Sequence, residues 1–280
     1  MEQVDRAVRA GLPVERFLAG PRDLLAPLVE SRAFRTYVKG RVSPLLHGPM
    51  VGGVSDRGAC FWVRTAGESR VRVLLSTSPG MENPIPSGEV RTSKERDYTA
   101  VVRVEGLKPG TVYHYTVWVD GRNVLNEPAS FRTFPPAGSR ATFDVVFGGG
   151  AGYVPAYERM WETIRTRKPL ALLMLGDNVY IDTPTVPETQ RYCYYRRQSR
   201  PEFRRLVAST AVFAIYDDHD FGTNDCVPGR FIDRPPWKRR VWQVFRENWV
   251  NPSYGGGPDR PGCWFSFSIG DVDFFMLDCR

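Results

Sequence analysis

The feature that most constrains this chain is a change of apolar period at residues 135–139, Pro-Pro-Ala-Gly-Ser. Before it, from residue 47 to about 134, apolar and polar residues alternate in short β-rich runs at 59–64, 71–76, 98–104 and 112–119. Turn residues separate these runs at Ser78-Pro79-Gly80, Lys108-Pro109-Gly110 and Asp120-Gly121, as expected of an antiparallel β-sandwich with one face of each sheet buried. After it, a β-prone, largely apolar run at 142–147 and wholly apolar runs at 170–175 and 212–216 alternate with a helical pattern at 156–167. Strands buried on both faces and separated by helices predict an α/β layer. The fold class expected is therefore α/β, α+β overall, in two parts joined by a short stiff linker.

Residues 1–46 show helix-like spacing, with Leu24 and Leu28 on one face and Phe34 and Val38 on another, interrupted by Pro13, Pro21 and Pro27. Short helices docked on a larger body are expected. Near the other end, 237–249 reads as a helix clustering Trp242, Phe245 and Trp249, and strands follow at 263–269 and 272–277. A chain that stops at Arg280, directly after a buried strand, is expected to be a fragment of a longer α/β domain.

Composition bounds the function. A chain of 280 residues with 42% hydrophobic and 25% charged residues is long and apolar enough to bury a core and far from disorder. The net charge of +7 comes from arginines scattered along the chain, with only short clusters such as Arg196-Arg197, so a solvated basic surface is expected and a nucleic-acid arm is not. Cys60, Cys193, Cys226, Cys263 and Cys279 form no C-x-x-C pair, which disfavours a zinc knuckle or disulfide framework and predicts buried thiols. The longest apolar run is too short to span a bilayer, and charges at Glu2, Asp5, Arg6, Arg9, Glu15 and Arg16 leave no signal-peptide core. A cytoplasmic location is the default expectation.

The chemistry is concentrated at two strand ends. Leu175-Gly176-Asp177-Asn178-Val179-Tyr180 follows one buried strand and offers a carboxylate and a phenol to a hard metal. A bare β-turn with a packing tyrosine is the competing reading of that hexapeptide. Tyr216-Asp217-Asp218-His219-Asp220, continuing to Asn224-Asp225, crowds carboxylates around an imidazole, and such density needs a cation or solvent to relieve its repulsion. The spacing does not match a calcium-binding EF-hand loop.

Taken together, these loops, the Leu277-Asp278-Cys279-Arg280 segment and the His47-Gly48-Pro49-Met50-Val51-Gly52 entry to the sandwich resemble the alkaline phosphatase D (PhoD-like) family of metallophosphoesterases. The segment 107–113, Leu-Lys-Pro-Gly-Thr-Val-Tyr, likewise resembles the tyrosine corner of fibronectin type III modules. The resemblance covers about residues 47–280 and leaves the helical segment at 1–46 outside it; it implies a fibronectin-like β-sandwich at 47–135 and the N-terminal part of a metallophosphatase domain at 141–280. It also implies hydrolysis of phosphodiesters or phosphomonoesters at a centre of iron with calcium, and a family that is often exported.

In that resemblance Asp177 is the metal-bridging carboxylate, Tyr180 the tyrosinate ligand and Asn224 an amide ligand. Asp217 is a carboxylate near the phosphate, and His219 orients groups or handles a proton. The family's cysteine ligand falls where this chain has Gly150, which has no side chain to offer. A non-catalytic fragment or pseudoenzyme binding partners through its sandwich is therefore the alternative. His47 and His114 are read as structural, and the aromatic and basic stretch around Tyr192, Tyr194, Tyr195, Arg196 and Arg197 as ordinary packing.

Overall fold

The computed structural model describes residues 1–227, 229, 231 and 233–280. Four short helices open the chain: α1 (Glu2–Arg9), α2 (Glu15–Leu18), α3 (Arg22–Val29) and α4 (Arg32–Val38). Ser31 caps α4 by accepting the Phe34 N–H at 3.2 Å, and Phe34 is fully buried. Strands β1 (Leu45–Gly52), β2 (Gly58–Thr65), β3 (Arg70–Ser76), β4 (Ile85–Pro86), β5 (Val90–Arg91), β6 (Thr99–Glu105), β7 (Val112–Val119), β8 (Arg122–Asn123) and β9 (Ala129–Arg132) follow. Next come β10 (Val145–Gly148), α5 (Met160–Thr166), β11 (Ala171–Leu175), α6 (Pro187–Gln198), α7 (Pro201–Val207), β12 (Ala211–Ile215), α8 (Asp218–Phe221) and α9 (Lys238–Asn248). The last elements are the antiparallel strands β13 (Phe265–Ile269) and β14 (Val272–Met276).

Two sheets dominate. One runs β4-β3-β7-β8, with β5 beside β3 and β9 beside β7. The other is six-stranded, in the order β10-β11-β12-β1-β2-β6. Its β10, β11 and β12 are parallel, whereas β1, β2 and β6 are antiparallel. The junction is a parallel pairing of β1 with β12, with Gly52 opposite Val212. Glycine is required there, because a Cβ at 52 would lie 2.4 Å from the Val250 side chain and 2.8 Å from the Val212 carbonyl.

This continuity explains why β2 is buried along its whole length while β3 alternates. Phe61 packs on Tyr115 and Phe131 of the facing sheet, with ring centroids 4.7 and 5.4 Å away. Its neighbour Trp62 points the other way and donates its indole N–H to the Glu247 carbonyl of α9 at 2.7 Å. With both faces covered, the period-two signal disappears.

The helical segment docks through a buried polar network. Arg22 of α3 donates to Asp97 at 2.6 Å, and Arg64 pairs with the same carboxylate at 3.0 Å. Tyr195 of α6 donates its hydroxyl to Asp97 as well, at 2.5 Å. Arg64 also donates to Gln198, to Asn248 at 2.7 Å and to His47 Nδ1 at 2.8 Å. Because Nδ1 must accept, His47 carries its proton on Nε2 and donates it to Ser199 Oγ at 2.9 Å. Burial and Arg64 hold the His47 imidazole well below its ordinary pKa, so it stays neutral.

Tyr194, Tyr195 and Arg197 are buried, in line with the packing reading of α6. Cys60, Cys193 and Cys263 are buried free thiols, but Cys226 is half-buried and Cys279 exposed. The helix expected at 156–167 begins only at Met160, after a single turn of 3₁₀ helix at Pro155–Tyr157. The indole N–H of Trp161 bonds Glu158 at 2.8 Å, fixing that entry. Among the described residues no helix is long and apolar enough to cross a membrane.

Candidate metal centre

Strands β11 and β12 run parallel with Leu175 opposite Ile215, so the residues that follow each strand emerge side by side at the carboxyl edge of the sheet. Gly176, at φ +102°, makes the approach possible: a Cβ on it would lie 2.5 Å from that of Asp217. The loop beyond it is tightly wound, with Asp177, Tyr180 and Asp182 at φ near 50°. Left-handed backbone at a non-glycine residue costs about 1–3 kcal/mol and persists only where the surroundings enforce it.

The enforcement comes from two sides. The buried Asp220 carboxylate accepts the backbone N–H groups of Asn178 and Val179 and the Asn178 side-chain amide, each at 2.9 Å. Burial pushes its carboxyl up to about 7, against donors that favour the ionised form. From the other side, Arg197 donates to the Asn178 carbonyl at 3.1 Å and Arg196 to that of Val179 at 3.3 Å. Arg197 also bonds the Ala151 carbonyl at 2.6 Å, tying in the glycine-rich loop after β10.

Asp177, Asp218 and His219 each offer one donor atom within 4.8 Å of the others. Asp177 Oδ1 is buried without a hydrogen-bond partner. An orphaned carboxylate oxygen beside a second carboxylate and an imidazole is the donor set a hard cation takes, so these residues fit one. Burial raises the Asp177 carboxyl, with Asp218 and Asp217 adding to the rise. Asp218 is held below its ordinary value despite burial, by the Asp225 N–H and Arg280.

His219 Nδ1 bonds Asp182 at 2.6 Å, which fixes the ring through that nitrogen. Burial lowers the imidazole pKa, but Asp182 together with Asp177 and Asp218 outweighs it and the net shift is upward. The Tyr180 ring lies 4.3 Å from the imidazole, and its hydroxyl donates to Asp177 Oδ2 at 3.4 Å. Burial and Asp177 push the Tyr180 phenol up, so its phenolate form requires a neighbouring cation.

Of the residues expected from the sequence, Asp177, Tyr180 and His219 thus meet. Asp217 instead bonds Arg280 at 2.5 Å, and Arg280 also lies 3.3 Å from Asp218. Asn224 is exposed and donates to Asp225 at 2.6 Å, while the Asp225 N–H bonds Asp218. Position 150 faces the cluster, since a Cβ there would lie 3.7 Å from the Tyr180 hydroxyl. Sequence reasoning missed Asp218, Asp182, Asp220 and Arg280. For Asp218 and Asp220 the signal was present in the density of carboxylates, but which of them turns inward depends on the short helix α8.

Residues 42–138 match a family model described only as a domain of unknown function, DUF7800. No curated protein matches the chain. Among solved structures it is similar to PhoD, at 17% identity and a TM-score of 0.72, over 85% of this chain and 52% of that one. It is also similar to the purple acid phosphatase PPD1 from yellow lupin (Lupinus luteus) seeds, at 12% identity and a TM-score of 0.59, over 83% of this chain and 45% of that one. The chain therefore shares the fold of these two structures while spanning about half of their length.

Proposed function

We propose that this chain belongs to a metal-dependent hydrolase of phosphate esters of the alkaline phosphatase D type. The observation that carries the reading is the meeting of Asp177, Asp218 and His219 donor atoms within 4.8 Å at the carboxyl edge of a parallel sheet. Asp177, Asp218 and His219 would hold one cation with Tyr180 beside it; the iron-with-calcium centre that the family resemblance implies would also take Asn224, whose side chain would have to leave Asp225 to reach it. A cation bound by these residues would supply positive charge to the phosphoryl oxygens and acidify water.

The remaining roles fall to this chain's own side chains. Asp182 fixes the His219 ring, leaving Nε2 as the nitrogen available to the cluster. In this reading Asp217, about one third exposed and paired with Arg280, is the carboxylate near the phosphate of a diester or monoester. Arg280 adds a planar guanidinium fork suited to oxyanions. In this reading residues 47–135 form a fibronectin-like sandwich, one sheet of which continues through β1 and β12 into the 141–280 catalytic part; the Lys108 N–H donating to the Tyr113 hydroxyl at 2.9 Å supports a tyrosine corner.

Gly150 favours a second reading, a non-catalytic chain that binds partners through the sandwich, because it removes one side-chain ligand from beside Tyr180. Release of p-nitrophenol from p-nitrophenyl phosphate and its bis-ester separates the two. The hydrolase reading predicts turnover that is abolished by chelation and falls at least about 100-fold in Asp177→Asn. Turnover equal in wild type and Asp177→Asn, or absent with metals restored, would overturn it.

A further inference from the structure

A cavity of about 500 Å³ lies where the turn into α2, the start of β1, the stretch after β8 and helix α7 converge. Its lining includes Glu15, Arg16, Val124, Leu125 and Arg204, and it shares no residue with the carboxylate cluster.

The two guanidiniums are underused. Arg204 donates from Nη2 to the Gly48 carbonyl at 3.0 Å, and Arg16 lies with its Cζ 5.1 Å from the Tyr192 ring centroid. Among the described residues neither enters an ion pair, and Glu15 is the one carboxylate of the lining. Burial holds the Arg204 guanidinium below its ordinary pKa, and Glu15 offsets only part of that fall. A cation withdrawn from water without a charge partner is costly, and an anion brought to it recovers the difference. The back wall offers no competing partner, because His47 donates to Ser199 at 2.9 Å and Ser199 donates to the Tyr195 carbonyl at 2.6 Å. Apolar surface comes from the half-buried Val124 and Leu125.

We propose that this cavity is a binding site, separate from the metal centre, for a small organic oxyanion: a carboxylate or phosphoryl head on a short apolar body. The head takes the donors of the Arg204 fork that Gly48 leaves free, with Arg16 adding a second positive charge. The body lies on Val124 and Leu125. A volume of about 500 Å³ falls within the range of small-molecule sites, about 300–1,000 Å³. Glu15 opposes the anion and sets the upper limit of its affinity.

The test is calorimetric binding of hexanoate, hexylphosphonate and neutral hexanamide to the calcium-equilibrated protein. The wild type is expected to bind one of the two anions about tenfold more tightly than the amide, and the tighter anion identifies the head group. The imidazole NMR signal of His47, one of three histidines, is expected to move on binding while that of His219 stays in place. Arg204→Gln and Arg16→Gln are each expected to bring the ratio of anion to amide toward one. Glu15→Gln is expected to tighten the anion about two- to fivefold, a gain that damage to the fold cannot imitate. Asp177→Asn is expected to leave the ratio unchanged, so the outcome is independent of whether the metal cluster hydrolyses esters. Equal affinities for anion and amide, no binding of either anion, a ratio indifferent to all three cavity substitutions, or binding lost in Asp177→Asn would overturn the proposal.

Discussion

Asp220 holds Asn178 twice through one carboxylate oxygen, which accepts both the backbone N–H and the side-chain amide at 2.9 Å. The two residues stand on different strand-end loops, so this contact sets the spacing between Asp177 and Asp218. All three donors to Asp220 are N–H groups, and an amide in its place would turn a donor toward donors. Asp220→Asn is therefore expected to cost about 2 kcal/mol in denaturant unfolding. Metal affinity, measured by titration, is expected to fall about 10- to 100-fold although Asp220 is not placed among the ligands.

The His219–Asp182 pair predicts a titration. The imidazole pKa is raised in the fold, so the pair's contribution to stability is fully present below the ordinary value of 6.5 and is lost as pH rises through the native value. Imidazole NMR on the metal-free protein, which has only three histidines, is expected to find His219 above 6.5. In Asp182→Asn it should fall, because burial is then opposed only by Asp177 and Asp218.

Asp97 predicts the opposite sign. Burial raises its carboxyl, but Arg64, Arg22 and Arg191 outweigh burial and hold it below 3.8. Its contribution is present above that value and lost as pH falls through the lower native one. Unfolding free energy measured between pH 7 and pH 3 is expected to fall less steeply in Asp97→Asn, which is also less stable at neutral pH by about 3 kcal/mol because Arg64 is left buried without its charge partner.

Gly176→Ala tests the approach of the two loops. The new Cβ would meet Asp217 at 2.5 Å on backbone already at φ +102°. A loss of about 3 kcal/mol in denaturant unfolding is expected.

The sequence was informative wherever structure is local. The strand at 112–119 coincides with β7, and the motif around Asp177 and Tyr180 lies where a strand-end site was expected. It was silent wherever contacts join distant segments. Arg22 meets Asp97 across 75 positions, and β1 reaches β12 through Gly52 and Val212, neither of which carries a periodic signal. Within the site, Asp218 and Asp217 are adjacent and chemically identical; only the backbone turn into α8 sends one to the cluster and the other to Arg280. Asp182 escaped notice because its partner His219 lies 37 residues away.

The most direct test of the central claim is elemental analysis of the purified protein after dialysis, beside Asp177→Asn prepared in parallel. The account predicts near-stoichiometric iron or calcium in the wild type and its loss in the variant, whose fold is unchanged by circular dichroism. The same metal content in both, or none in either after equilibration with excess iron and calcium, would contradict it.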